Sequence, residues 1–346
     1  MEPERAEEII DRFRPLVDAE IGRVLEGRDG AALYEMVRYH LGFVGAAEQP
    51  TVEFGGKRVR AALCLLVCEG VGGEAAAAAA AAAAIELVHA FTLLHDDVAD
   101  EDELRRGRVT VWRRWGVGQA ITAGDATFAL ANLAAASLVE GSGIPAEAVC
   151  AVMRELNQAT LIVSEGQHLD IAYEGRTDIS VDDYVEMIAK KTAALFAAAP
   201  AIGAIAGAAF EEQRRRVRDF GRHLGLAYQV RDDVLGIWGD PERLGKPVGG
   251  DLRRSKRSLP IVYALSSGAG AERERLAERL REGIATEEAA EVVARSLEEM
   301  GAREFCERMV EDYSERALAD LGRAELRQGA TADLRVLTSY LTERTS

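Results

Sequence analysis

Residues 75–100 read AAAAAAAAAAIELVHAFTLLHDDVAD, and this run decides that the chain is helical. Alanine is the best helix former and lets neighbouring helices approach closely. Ten alanines lead without a break into Ile85, Leu87, Val88, Phe91 and Leu94, which predicts one long buried helix over about residues 74–97. The run ends in acids. The C-terminus of a helix carries negative partial charge, so carboxylates there are locally unfavourable. If the helix continues to Asp100, Asp96 and Asp100 lie one turn apart on one face and repel each other. A cation resolves both misfits. Carboxylate oxygens without His or Cys company suit a hard ion such as Mg2+, which is held by one or two carboxylates plus substrate phosphates. Residues 101–108 continue as EDELRRGR, and their arginines offer planar donors for phosphate oxygens. The competing reading is a solvated charged loop. His89 lies two turns before Asp96 on the same face, where a core histidine is the plain alternative to a ligand contact.

A second stretch, YQVRDDVLG at residues 228–236, again ends an apolar helical pattern in paired aspartates, Asp232 and Asp233. Two such pairs at the ends of two apolar helices can face each other across a cavity. Upstream, GGKRVR at residues 55–60 places Lys57 and Arg60 at the start of a helix. Helix N-termini favour anions, so two basic groups there gain little from the dipole; a bound phosphate explains both. Lys190-Lys191-Thr192 interrupts an apolar helix, and a charge there must reach a partner or solvent. Residues 245–251, GKPVGGD, read as a loop able to close over phosphate, with a surface linker as the alternative.

The remaining pattern is helical throughout. Ile9, Ile10, Phe13, Leu16, Val17, Ile21 and Val24 recur at a helical period. Helices are predicted over about residues 3–25, 31–41, 57–69, 118–138, 145–173, 181–195 and 210–235, and charged amphipathic helices fill residues 261–346. Gly203 and Gly207 predict tight packing and Pro200 a kink. Residues 192–210 carry no charge; rich in Ala and Gly and broken by Pro200, they read as a buried helix pair and no membrane span.

Composition bounds the rest. The chain has 346 residues, 48% apolar and only 6% aromatic, which favours helices over sheet. Its formal charge of −16 opposes nucleic acid and anionic membrane surfaces. Cys64, Cys68, Cys150 and Cys306 sit in helical patterns without zinc-ligand spacing, as buried free thiols of a reducing cytosol would. The acidic N-terminus is no secretory signal. A cytoplasmic protein of one domain, residues 1–346, is expected.

With both acidic motifs in order, the chain resembles the trans-isoprenyl (polyprenyl) diphosphate synthases. DDVAD followed by Arg105-Arg106-Gly107 matches the first aspartate-rich motif; DDVLG matches the second less fully; GGKRVR, GQHLD at residues 166–170 and Lys191-Thr192 complete the order. The likeness runs over about residues 55–260. It implies an all-α bundle of roughly ten or more helices around a deep central cavity, a homodimer, and three Mg2+ ions per active site. It implies the partners isopentenyl diphosphate and an allylic diphosphate, condensed head-to-tail. By that resemblance Asp96, Asp100 and Asp232 are the metal ligands and Asp97 and Asp233 orient neighbours. Arg105, Lys191, Thr192, Gln229, Lys246 and Lys256 would hold the allylic diphosphate. Gly56, Lys57, Arg60, His89 and Arg106 would hold isopentenyl diphosphate. Asp170 goes to the cavity wall. The departure is Gly236, where many members carry a third aspartate; Asp240 would not share the Asp232 position on a helix.

Product length is set by how far the growing tail reaches. Phe91 lies five positions before Asp96, about 7.5 Å along a helix, a level the family uses as a floor. One aromatic there, small Thr92 beside it and no insertion inside DDVAD resemble the geranylgeranyl (C20) type. Farnesyl or longer polyprenyl synthases, a class I terpene cyclase and a non-catalytic subunit of a heteromeric synthase are the alternatives. A cyclase needs an Asn/Asp-Ser/Thr-Glu motif that RDDVLGIWGD lacks, and such subunits tend to lose aspartates that this chain keeps.

Overall fold

In the computed structural model, residues 2–28, 30–43, 56–239, 257–267, 270–284 and 286–343 are described. They are almost entirely helical and fall into two compact units. The first comprises Met1–Gln158, Ala198–Arg218 and Arg323–Val336; the second comprises Ala159–Ala197, Asp219–Gly322 and Leu337–Ser346.

In the first unit, α1 (Glu2–Leu25) buries the face predicted from its period: Ile9, Ile10, Phe13, Val17, Ile21 and Val24. Helix α2 (Ala32–Leu41) and helix α3 (Val59–Val71) precede the long alanine helix α4 (Ala75–Ala99). Ala81 to Ile85, Leu87 and Val88 are wholly inaccessible. Small side chains let α1, α3 and α6 (Val117–Ala136) pack closely on α4, and the short α5 (Val111–Trp115) touches both α4 and α6. Glu86 is the charged exception in the buried middle of α4. Its carboxylate accepts the Ala61 N–H at 3.0 Å and lies 3.7 Å from the buried Arg58 guanidinium. The anion at the N-terminus of α3 is therefore supplied by Glu86. Gly203 meets α3 so closely that a Cβ would lie 2.0 Å from the Cys64 carbonyl oxygen, as its spacing predicted.

Sequence pattern missed one element here. Leu104–Arg105 and Arg108–Val109 pair as a short antiparallel hairpin. Its two-residue turn has positive φ at both Arg106 (52°) and Gly107 (73°), as the tight hairpin turn that matches strand twist requires. Two residues per strand are too few for an alternating pattern to show.

The second unit takes the later part of α7 (Ala146–Tyr173), then α8 (Val181–Ile188), capped by the reciprocal Ser180–Asp183 box. A π-helical turn over Ala189–Ala193 leads into α9 (Ala194–Ala206). Helix α10 (Glu211–Trp238) enters this unit at Asp219. Helices α11 (Leu259–Ser267), α12 (Ala271–Glu282) and α13 (Glu287–Glu299) surround a core of Ile237, Ile261, Leu265, Leu276, Leu280, Val293 and Leu297. Helix α14 (Ala302–Arg323) adds Cys306 and Val310 to a second core with Met187, Ile188, Leu226 and Val230, and α15 (Gln328–Thr342) closes the chain.

Two expectations are corrected. Pro200 lies inside one helix, Ala194–Ala206, so the predicted helix pair is a single element. Its neighbours Ala198, Ala199, Ala201 and Ile202 are buried and hold the helix across the missing hydrogen bond. The four cysteines are free, but Cys150 is exposed because it falls on the outer face of α7. Among the described residues, three helical stretches, Ala75–Ala99, Val117–Val139 and Val181–Ala206, are long and apolar enough to cross a membrane by length and composition. In the first, 72% of the apolar window is buried against the protein.

Candidate active site

Helix α4 ends where the acids begin. Asp100 is its C-cap and its N–H donates to the Asp96 carbonyl at 2.8 Å, so Asp96 and Asp100 occupy successive turns. Both are partly exposed, whereas Asp97 between them is 1% exposed. The Arg105 guanidinium donates to Asp97 Oδ1 and lies 3.5 Å from Asp102. Burial pushes the Asp97 carboxyl up to about 6, and the Arg105 charge and hydrogen bond pull against that rise. Asp97 Oδ2 is buried with no hydrogen-bond partner.

Around this end of α4 the basic residues gather. Gly56 has φ +80°, and a Cβ there would lie 2.5–2.7 Å from the Arg106 guanidinium; its carbonyl accepts from Arg14 at 3.1 Å. Burial, then the charges of Arg60, Arg106 and Arg105, hold His89 well below the ordinary imidazole pKa. Gly56, Arg60, His89, Arg105 and Arg106 are thus brought together in one unit. Lys57 is exposed, just ahead of α3. Arg58, at φ +54°, turns inward to Asp18 at 3.2 Å. A small, open pocket lies beside them, lined by His40, Asp97, Arg105, Arg106, Arg108 and Thr110 among others. His40 was not singled out from sequence. Burial and the charges of Arg105, Arg106 and Arg58 drive its pKa down to about 3, so it is neutral. Helix α2 carries no motif to reveal it. Arg108 lies over the Tyr39 ring at 3.8 Å and donates to the Tyr39 carbonyl at 3.2 Å.

In the second unit, Asp232 is exposed and Asp233 is buried. Asp233 accepts from Tyr184 Oη at 2.5 Å, the Leu259 N–H at 3.0 Å and Gln229 Nε2 at 3.1 Å. Burial pushes its carboxyl up to about 7 against those three donors. Gln229 Oε1 accepts from Thr192 Oγ1 at 2.7 Å. Lys191 pairs with Asp170 at 2.5 Å, and Lys190 reaches Glu186 at 3.1 Å, so the lysines in the apolar helix do find partners. The π turn that carries them meets Gly166 almost backbone to backbone: a Cβ on Gly166 would lie 2.2 Å from the Lys191 nitrogen. Such turns concentrate at functional positions. Gly236 is on α10 one turn after Asp232, and Lys246, Lys256 and Asp240 lie outside the described residues.

Phe91 turns onto α6. Its ring lies 5.3 Å from Phe128 and 5.0 Å, edge-on, from His95. Gly124 makes room for that imidazole, since a Cβ there would lie 2.2 Å from His95 Nε2. Thr92 Oγ1 donates to the His89 carbonyl at 2.8 Å.

In each unit taken by itself, the acids suit Mg2+. Asp96, Asp100 and Asp232 present only carboxylate oxygens, two of them at the negative end of a helix. No group of three or more His, Cys, Asp or Glu residues forms a ready-made metal cluster among the described residues. Magnesium held by one or two carboxylates and substrate phosphates needs none.

Residues 44–300 match the family model described as polyprenyl synthetase. A (2E,6E)-farnesyl diphosphate synthase of Mycobacterium bovis is 36% identical over 313 residues, covering 89% of this chain and 85% of its own. A geranylgeranyl diphosphate synthase of Mycobacterium tuberculosis is 45% identical over 235 residues, covering 68% and 66%. Among solved structures, a polyprenyl synthetase from Streptomyces coelicolor superposes with a TM-score of 0.88 at 36% identity, over 96% of this chain and 98% of that one. A geranylgeranyl pyrophosphate synthetase from Pyrococcus horikoshii gives 0.86 at 34%, over 98% and 99%.

Proposed function

Since the chain belongs to the polyprenyl synthetase family and is a trans-prenyltransferase, we propose that it couples isopentenyl diphosphate to allylic diphosphates and stops at the C20 product. The observation that carries the length reading is the Phe91–Phe128 pair, two rings 5.3 Å apart, Phe91 on the helix that bears Asp96 and Phe128 on α6. Phe91 stands about one and a half turns before Asp96, where the pair would form the floor of the tail's space.

Asp96, Asp100 and Asp232 would hold Mg2+, which neutralises charge developing on the departing diphosphate. Arg105, Lys191, Thr192 and Gln229, joined by Lys246 and Lys256, grip that diphosphate and keep it oriented. Arg105 leaves its Asp97 and Asp102 partners to do so, and Lys191 leaves Asp170. The allylic C–O bond breaks with its electron pair on oxygen. The double bond of isopentenyl diphosphate, held by Gly56, Lys57, Arg60, His89 and Arg106, supplies the pair for the new carbon–carbon bond. A proton leaves the adjacent carbon for an oxygen of the released diphosphate. His89 takes no proton in this scheme, because burial, and after it the charges of three arginines, keep it neutral. Apolar helix walls exclude water, which would otherwise trap the cation. The working form is read as a cytoplasmic homodimer of one-domain subunits, with no nucleic acid or membrane as partner. The charge of −16 supports the exclusion of nucleic acid.

The purified protein, Mg2+, isopentenyl diphosphate and each of the C5, C10 and C15 allylic starters form the test. A linear C20 diphosphate is expected from all three. A C15 end product, or one longer than C20, overturns the length; a hydrocarbon indicates a cyclase, and no product a non-catalytic subunit.

A further inference from the structure

We propose that Tyr184 is a positioning residue of the allylic-diphosphate site, acting through Asp233 and Gln229 on Thr192. The inference rests on the reading that Thr192 and Gln229 meet that diphosphate. Tyr184 belongs to no motif. Its ring is 3% exposed in a core with Met187, Ile188, Leu226, Val230 and Leu259. Phenylalanine would fill the same space, so packing does not call for the hydroxyl. The hydroxyl donates to Asp233 Oδ2 at 2.5 Å, and the Leu259 N–H donates to the same oxygen at 3.0 Å. Asp233 is 4% exposed. Two donors from two different helices therefore fix the plane of a buried carboxylate.

That plane decides how Gln229 stands. Both Asp233 oxygens accept here, Oδ2 from Tyr184 and Leu259 and Oδ1 from Gln229 Nε2 at 3.1 Å, so the NH2 side of the Gln229 amide faces Asp233. The amide oxygen is thereby forced toward Thr192, whose hydroxyl donates to it at 2.7 Å. The direction of each hydrogen bond follows from the one before it. Thr192 also sits in the π turn with Lys191, whose backbone is pressed against Gly166. The turn sets where Thr192 is; the chain from Tyr184 sets which way its hydroxyl points. When diphosphate binds, Thr192 has one proton to give and a defined partner to leave. Loosening Asp233 lets Gln229 rotate and scatters the hydroxyl.

Tyr184→Phe tests this. Circular dichroism and thermal unfolding report whether it folds. In the folded variant, the KM for the allylic diphosphate is expected to rise on the order of tenfold, the usual cost of losing a supporting hydrogen bond behind a ligand-binding group. The KM for isopentenyl diphosphate stays within about twofold, because its residues lie elsewhere. Calorimetric binding of geranyl S-thiolodiphosphate with Mg2+, without isopentenyl diphosphate, should weaken in step. The double variant Tyr184→Phe/Gln229→Ala should be no worse than Gln229→Ala alone. An unchanged allylic KM, equal rises in both KM values, or additive effects in the double variant each overturn the proposal. If Thr192→Ala and Gln229→Ala also leave the allylic KM and binding unchanged, the reading of the site falls with it. Should Tyr184→Phe fail to fold, Asp233→Asn asks the same question, since an amide there no longer dictates the Gln229 orientation; an unchanged allylic KM overturns the proposal.

Discussion

Asp97 and Asp233 are the second acids of two similar dipeptides, and the protein holds them by opposite means. Asp97 is held by a cation, Arg105, with one oxygen left unpartnered. Asp233 is held by neutral donors: a phenol, an amide and a backbone N–H. Burial raises both carboxyls, to about 6 and about 7 respectively. The difference extends to their neighbours. Around Asp97 guanidinium groups crowd together and add to burial in keeping His40 and His89 neutral. Around Asp233 the order is one of hydrogen-bond direction. A region organised by charge answers to changes of charge, and a region organised by hydrogen bonds answers to the loss of single donors.

Removing the acids that should carry metal breaks both regions alike, with the largest effect. Asp96→Ala and Asp232→Ala should each lower kcat by about 10²–10³-fold, the scale of losing one preorganised electrostatic group. Their unfolding midpoints should move little, because Asp96 is only partly buried and Asp232 is exposed. Steady-state kinetics at saturating Mg2+, alongside denaturant unfolding, separates the two. A large stability loss with normal kcat in the folded fraction would reverse their assignment.

Acid should separate the regions. His40 has its folded pKa lowered to about 3 from 6.5, first by burial and then by Arg105, Arg106 and Arg58. An unfolded chain takes up that proton near pH 6.5 and the folded one does not. The stability gained from keeping His40 neutral is complete above about pH 6.5 and is lost progressively as pH falls toward 3, by an amount of order a few kcal/mol. The unfolding free energy of wild type minus that of His40→Gln should fall across this window. A flat difference would show that His40 is not held neutral by its surroundings.

How far these regions were legible in sequence follows the same division. Charge and period are written in residue types. The alanine run, the acids at its end and Arg105-Arg106 announced the first region, and the helix boundaries followed within a few residues. Lys190 and Lys191 stood out because a charge in an apolar helix demands a partner. Direction is not written that way. Nothing about Tyr184 marks it as a donor to a residue 49 positions away. Nothing about Glu86 shows that it serves the N-terminus of α3. The π turn and the Arg106–Gly107 hairpin are backbone events too short for a periodic signal. Gly166 could have been suspected as a close-approach glycine, but its partner could not.

Asp233→Asn sharpens the comparison further. Its new NH2 must share space with three donors already in place, leaving at least one buried donor unsatisfied, at a cost of about 1–3 kcal/mol. Asp97→Asn should cost less, because Arg105 is 24% exposed and can turn to water or to Asp102. Equal losses by chemical denaturation would mean that the kind of donor is immaterial.

The smallest effect concerns what lies beneath each acid pair. Beneath Asp96 there are rings, Phe91 against Phe128, where Asp233 has a polar chain. A tilted ring pair would stop a growing tail by volume, and an apolar pocket discriminates by roughly 1–3 kcal/mol for each methylene it excludes. That is enough to tilt a product distribution without stopping catalysis. Phe91→Ala should shift product from C20 toward C25 with kcat nearly unchanged. Phe128→Ala should shift it less, since Phe91 keeps its edge-on support from His95. The double variant should go furthest. Chromatography of the dephosphorylated products reads all three, and a Phe91→Ala enzyme that still ends at C20 would remove the ring pair from control of length.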